Sequence, residues 1–294
     1  MIKADLHTHS KYSNDGEFGI SEITDRCISQ GVNVFSVTDH NSVKGINEAI
    51  QITQQTDIEF IPGIEIDCCY KDIDLHVLGY CIHWESNDFS NLEKTVYTKV
   101  MASLSEMIHN LTQLGFIIDI DAVLSKANGI LPSAEMIAEV MLSDEKYYSP
   151  LLLPYMKGGE RSDMPYINFY LDYFAQGKSA YVPVNHICFS EAIEIIRDNG
   201  GIPIIAHPGL NLKGKEEISE QLLDKGAEGL EVFNNYHDMN QIDYFATEVG
   251  KRNNIMTCGS DFHGKTKPLI SIGQFKFKEQ YSDYLHNSVK KLMN

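Results

Sequence analysis

Over the first ninety positions, short apolar runs alternate with helix-like stretches. Residues 2–6, 32–37, 58–66 and 73–78 form such runs, each ending on a polar or charged tip in the manner of a buried strand. Between them, Ser21 opens a helix that Gly31 stops, and a second helix is expected over residues 43–55. Alternation of this kind predicts parallel strands joined by helical crossovers. The pattern returns near residue 190: Ser190 opens a helix ending at Asn199-Gly200, and runs at 202–206, 229–233 and 255–258 bring the strand total to about seven.

The middle of the chain follows a different period. Leu92, Val96, Val100, Leu104, Ile108 and Leu111 form the stripe of a long amphipathic helix, with Ser90 and Glu93 spaced as a capping box and Gly115 as the stop. Helix-like segments at 134–142 and 166–174 are separated by a Pro- and Gly-containing stretch without strand alternation. The expected architecture is therefore α/β: a barrel formed by residues 1–91 and 181–294, interrupted by a mostly helical insertion over 92–180.

Composition narrows the function. The 294 residues carry 24 Lys+Arg against 41 Asp+Glu, a formal charge of −17, which excludes a basic nucleic-acid coat or a polybasic membrane binder. No segment approaches the roughly 18 to 20 apolar residues that cross a bilayer, and the N-terminal stretch lacks the apolar core of a signal peptide. The six cysteines show no CxxC spacing. Together these features predict a cytoplasmic protein without disulfides.

Histidine placement carries the chemistry. His7, His9, His40, His207 and His263 fall where apolar runs end, and His76 lies inside one; in α/β barrels the C-terminal ends of the strands form the active face. Residues i and i+2 of a strand share a face, so His7 and His9 project together. Alone, such a pair is more often chance than a metal site. Asp15, Glu65 and Asp261 have the same placement, and six imidazoles with three carboxylates and no thiolate suit borderline divalent metals such as Zn, Mn or Fe. Nine ligands exceed what one ion needs, so two or three divalent ions are implied, with Glu65 able to bridge.

The segments DLHTHSKYSNDGE, VTDHNS, PGIE, DLHVLGY, IIAHPG and GSDFHG together resemble the PHP (polymerase and histidinol phosphatase) family of metal-dependent phosphoesterases. The resemblance implies a distorted seven-stranded, TIM-like (βα) barrel with a trinuclear centre. One metal would be held by His7, His9, Glu65 and Asp261, a second by Glu65, His76 and His207, and a third by Asp15, His40 and His263. The family often has SDG after the HxH; here Ser13-Asn14-Asp15-Gly16 carries one extra residue, and Asp15 is the expected ligand. The implied reaction is hydrolysis of a small phosphomonoester by a metal-bound hydroxide. No GxSxG, P-loop or GxGxxG motif offers another route.

Within the family, the insertion, the GKSAYVP stretch and EVFNNYH are similar to the branch of nucleoside 3',5'-bisphosphate phosphatases and a related exoribonuclease. Lys178 then becomes a candidate phosphate contact, equally explained as a solvated loop lysine. His237 is a candidate proton donor, equally explained as a surface histidine. Where that branch often carries an arginine, this chain has Leu131-Pro132-Ser133-Ala134-Glu135, and Arg161 is a candidate replacement. Asp39 and Asp74 are expected to orient ligating imidazoles. The acidic chain favours a small phosphorylated partner over extended nucleic acid. Two alternatives stay open: an amidohydrolase attacking carbon, signalled by a carboxylated lysine between metals, and a metal-stabilised binding module without turnover.

Overall fold

The computed structural model describes residues 3–294, so Ile2 of the first expected run lies outside the described residues. Nine strands are present among them: β1 (Ala4–Asp5), β2 (Val34–Phe35), β3 (Glu59–Phe60), β4 (Gly63–Tyr70), β5 (Ile73–Tyr80), β6 (Ile187–Cys188), β7 (Ile202–Ile205), β8 (Gly229–Phe233) and β9 (Ile255–Cys258). They form a parallel three-stranded sheet, β1-β2-β3, and a mixed six-stranded sheet, β6-β4-β5-β7-β8-β9. The helices are α1 (Ile20–Ser29), α2 (Ile46–Thr53), α3 (Asn87–Gln113), α4 (Ile120–Ala127), α5 (Ala134–Ser143), α6 (Pro165–Phe169), α7 (Phe189–Asp198), α8 (Pro208–Asn211), α9 (Ile218–Asp224), α10 (Met239–Arg252) and α11 (Ser282–Met293). None is long and apolar enough to cross a membrane.

Two expectations about the strands change. The run at 58–66 divides into β3 and β4 around Pro62, whose missing N–H cannot join a ladder. The parallel rule holds for the small sheet and for β7-β8-β9, but β5 runs antiparallel to both β4 and β7. The cause is local: Tyr70 pairs directly with Ile73, and Lys71 takes φ 55°, closing a two-residue hairpin where a crossover helix was expected.

The sheets are stitched at two seams. The Leu6 amide donates to the Cys258 carbonyl at 3.0 Å and Thr8 bridges Phe262, while on the other side His40 bridges Glu65. Both seams sit at the strand ends that carry the histidines.

Helix α3 starts one turn before the expected capping box. Ser86 is the cap, its Oγ accepting from the Asp88 amide, and Gly115 ends the helix region with φ 96°. Its first half buries Phe89, Leu92, Val96 and Val100 in the main core beneath the six-stranded sheet. Its second half buries Leu104 and Leu111 in a separate core with Phe116, Val123, Ile137, Tyr155, Phe169 and Phe174. The expected helix at 166–174 is α6 followed by a π-helical turn, Tyr170–Phe174. Glu139 on α5 ties this second core to the loop after β9, accepting from Lys265 at 2.7 and 2.8 Å and from Lys126 at 2.8 Å.

Candidate metal centre

The strand ends deliver their polar side chains to one place. Glu65 on β4 is fully buried at its middle. Its Oε2 lies 3.1 Å from His7 Nε2, 3.1 Å from His9 Nε2 and 3.5 Å from His40 Nε2. Its Oε1 lies 3.0 Å from His76 Nδ1 and 3.2 Å from His207 Nε2. Asp261 Oδ1 approaches His7 and His9 Nε2 at 3.4 and 3.3 Å, and Asp15 Oδ2 is 2.9 Å from His263 Nε2.

Ligand-capable atoms gather within 4.8 Å of one another in four groups: His7, His9, Glu65 and Asp261; Glu65, His76 and His207; His9, Asp15, His40 and His263; and His40, Asp67 and His76. The structure thus brings all nine expected residues together. It adds Asp67, which sits two residues beyond Glu65 on the same strand face; the alternation that paired His7 with His9 is the signal that finds it.

The proton positions are dictated by what lies behind each ring. His7 Nδ1 donates to Glu231 Oε1 at 2.9 Å, His40 Nδ1 to Asp67 Oδ1 at 2.9 Å, His207 Nδ1 to Asn211 Oδ1 at 2.6 Å, and His263 Nδ1 to the Asp261 carbonyl at 2.9 Å. Each ring is thereby left with its Nε2 directed inward, toward carboxylate oxygens. The buried His263 Nε2 faces Asp15 Oδ2 at 2.9 Å but out of line for a hydrogen bond. Ring nitrogens and carboxylate oxygens packed this closely need positive charge among them, which ring protons supply when no ion is bound and which divalent cations would supply in their place, so the donor set fits a metal centre.

Electrostatics agree. Burial alone would raise the Glu65 carboxyl, but the facing imidazoles of His7, His40 and His76 hold it well below the usual range. Burial opposes the charged form of His7 as well, and Glu65, Glu231 and Asp261 nonetheless raise it well above its ordinary value. Two of the nine residues also have constrained backbones: His207 has φ 25° and Asp261 φ 58°, rare for residues with a Cβ. Gly259 explains how β9 comes so close, since a Cβ there would lie 2.2 Å from His7 Cβ and 2.7 Å from Glu231 Oε1.

Five expected supporting residues find different places. His237 is not a proton donor to a ligand: it is fully buried, its Nδ1 donating to the Val232 carbonyl and its Nε2 accepting from the Gly209 amide, and burial lowers its pKa to about 4. Arg161 is not free for phosphate, because its guanidinium grips both oxygens of Asp172 at 2.9 Å in a half-buried pair. Asp39 spends its carboxylate on the Ser10 amide and hydroxyl, and Asp74 accepts from the Tyr181 hydroxyl; neither holds an imidazole. Those roles fall to Glu231, Asp67 and Asn211; Glu231, on β8, lies 224 residues from His7, so no local sequence signal marks it. Lys178 lies on an exposed turn, its amine without a partner among the described residues.

Lys267 and Tyr236 were not foreseen. Both touch Asp261 Oδ2, leaving Oδ1 directed at the imidazoles.

The sequence profile described as the PHP domain matches residues 5–179. A 5'-3' exoribonuclease of Haemophilus influenzae is 30% identical over 267 residues, covering 89% of this chain and 90% of the relative. A 3',5'-nucleoside bisphosphate phosphatase of Chromobacterium violaceum is 24% identical, covering 93% and 91%. A Bifidobacterium adolescentis structure assigned as a metal-dependent phosphoesterase superposes with a TM-score of 0.78 at 20% identity, covering 99% of this chain and 95% of that one, which establishes a shared fold. With the profile spanning more than half of its length and the Haemophilus relative matched almost end to end, the chain belongs to the PHP domain family.

Proposed function

We propose that this PHP-family metal-dependent phosphoesterase hydrolyses a terminal phosphoester of a small nucleotide-type substrate, a phosphomonoester such as a nucleoside 3',5'-bisphosphate being the favoured form. The observation that carries the reading is Glu65, fully buried and within 3.5 Å of five imidazole nitrogens. Divalent ions bound there supply Lewis-acid polarisation of phosphoryl oxygens and acidify coordinated water.

The chain's own residues would divide the work as follows. His7, His9, Glu65 and Asp261 form one ligand set, Glu65, His76 and His207 a second, and Asp15, His40 and His263 a third. Glu231, Asp67 and Asn211 fix the ring tautomers from behind. In the reaction, water oxygen bonds to phosphorus, the ester P–O bond breaks, and the proton passes to the departing alcohol. We further infer that the two stitched sheets form the distorted barrel of residues 1–91 and 181–294. The helical unit over 92–180, with its own core, then overlies the centre. The relatives' substrates, RNA in one case and nucleoside bisphosphates in another, support a nucleotide.

The test is phosphate release by protein loaded with Mn(II), across p-nitrophenyl phosphate, histidinol phosphate, 5'-nucleotides, nucleoside 3',5'-bisphosphates and short RNA, with His207→Ala as the control. Release that the control lacks is expected. Absence of release from every compound would overturn the reading.

A further inference from the structure

Among the described residues, Lys267 is the one Lys or Arg paired with an acid of the four ligand-capable groups, through Asp261 Oδ2. It follows the short helical turn Gly264–Thr266 on the loop after β9, and only 11% of its side chain is exposed. A lysine ammonium has three N–H groups to place. Two have acceptors, Asp261 Oδ2 and the Tyr236 hydroxyl oxygen, the latter at 2.9 Å. The third has none among the described residues. An unmet charged donor in so buried a place calls for an acceptor that arrives from outside.

The surroundings of Lys267 show where that acceptor would sit. Its two partners each touch a different ligand set: Asp261 approaches His7 and His9 Nε2 at 3.4 and 3.3 Å, and the Tyr236 ring stands edge-on to His207 with centroids 5.7 Å apart. From the opposite side the helical unit comes within reach of its charge. Burial and Asp15 push the Glu135 carboxyl, at the start of α5, up to about 7, and Lys267 draws it down; burial and Glu135 raise the Tyr170 hydroxyl, and Lys267 again opposes them. The ammonium therefore stands beside two ligand sets on the side that faces the helical unit. An oxyanion is the acceptor its free N–H suits best, because a charge-assisted bond is about twice as strong as a neutral one. The count of terminal oxygens then separates two kinds of phosphate. A phosphomonoester has three and a phosphodiester two. With two of them spent at the ligand sets on either side of Glu65, only the monoester keeps a third, together with a second negative charge, for Lys267.

We propose that Lys267 selects phosphomonoesters over phosphodiesters, its free N–H meeting the third terminal oxygen while Asp261 and Tyr236 hold the ammonium in place. The inference rests on the hydrolytic reading above. It gives to Lys267 the phosphate contact for which Arg161, spent on Asp172, and Lys178, on an exposed turn, are not placed.

The experiment measures binding rather than turnover, with phenylphosphonate as the anion of three terminal oxygens and diphenyl phosphate as the anion of two. Affinities for Mn(II)-loaded wild type, Lys267→Gln and Lys267→Arg are taken by calorimetry, and metal content is measured on the same samples. Lys267→Gln is expected to weaken phenylphosphonate by about 10- to 100-fold, as loss of a hydrogen bond to a charged group does, while diphenyl phosphate stays within twofold and the metal content is unchanged. Lys267→Arg keeps the charge and is expected to recover part of the loss. Equal weakening of both anions would mean that Lys267 acts only by holding Asp261, and overturns the proposal. So does phenylphosphonate affinity within twofold of wild type in Lys267→Gln. A wild type that binds the two anions alike overturns it whatever the variants do. Failure of all phosphoester hydrolysis, with the selective loss in Lys267→Gln intact, would remove the enzymatic reading and leave Lys267 as the contact for the third oxygen.

Discussion

Replacing Glu231 by Gln preserves the shape of a fully buried side chain and removes its charge. Glu231 serves two donors, the His7 ring through Oε1 at 2.9 Å and the His207 amide through Oε2 at 2.8 Å. Glutamine offers one oxygen. Whichever way its amide is turned, an NH2 faces an N–H, and one buried donor is left unmet at a cost of about 1–3 kcal/mol in stability. The second effect reaches the metals. With the contact behind His7 weakened, its Nε2 loses basicity and its ring loses orientation, and such losses lower metal affinity by about 10- to 100-fold, or about 1.4–2.8 kcal/mol. Metal titration by calorimetry, metal content after desalting, and the thermal midpoint of the metal-free protein separate the two contributions. A Glu231→Gln protein that keeps affinity within a factor of two and an unchanged midpoint would refute the assignment of His7 as an inward-facing ligand.

Gly259→Ala drives a Cβ to 2.2 Å from His7 Cβ, so we expect about 1–3 kcal/mol of destabilisation from overpacking together with metal loss, read by denaturant titration and metal content. Arg161→Ala should lower the thermal midpoint, since it strips Asp172 of its bidentate partner, while kcat/KM on any accepted phosphoester stays within twofold; a selective rise in KM would return Arg161 to the substrate. His237 supplies a pH dependence. Its folded pKa, near 4 because of burial, lies below the ordinary value of about 6.5, so the unfolded chain takes up the proton first. The stability it contributes is present above about pH 6.5 and is lost as pH falls toward 4, by up to about 3 kcal/mol at about 1.4 kcal/mol per unit. Urea midpoints of wild type and His237→Gln measured from pH 7 to 4 should converge on acidification; parallel curves would show that the ring is not buried neutral.

The strand ends were legible because catalysis of this kind needs side chains at fixed places, and His7-x-His9, Asp39-His40 and Asp261-x-His263 interrupt apolar runs where a purely structural strand has no reason to. The long helix was legible from its i, i+4 stripe, though its start was not, because Ser86 and Ser90 offer the same cap one turn apart and burial of Phe89 decides between them. The β4-β5 hairpin was hidden, since Tyr70-Lys71-Asp72-Ile73 lacks the Asn-Gly or Asp-Gly signal of such a turn and places an ordinary lysine at positive φ. Residues acting through others fared worst. Arg161 and His237 looked available because sequence displays a polar group and not its partner; Asp172 and the Val232 carbonyl claim them only after folding. Glu231 reads as an unremarkable acid in an apolar strand until β8 sets it behind His7.

Helix α3 crosses from one core to the other without a break, so a change of its angle at either end is felt at the other. Its 27 residues span about 40 Å at 1.5 Å per residue, with the handover between Val100 and Leu104 near the midpoint. A tilt of about 10° at that fulcrum carries the far end through about 3 Å, the length of a hydrogen bond. A tilt of that size would have to stretch the contacts from Glu139 to Lys265, the Gln176 bond to the Asp72 carbonyl and the Tyr181 bond to Asp74, so the two cores are held at several points along one continuous helix.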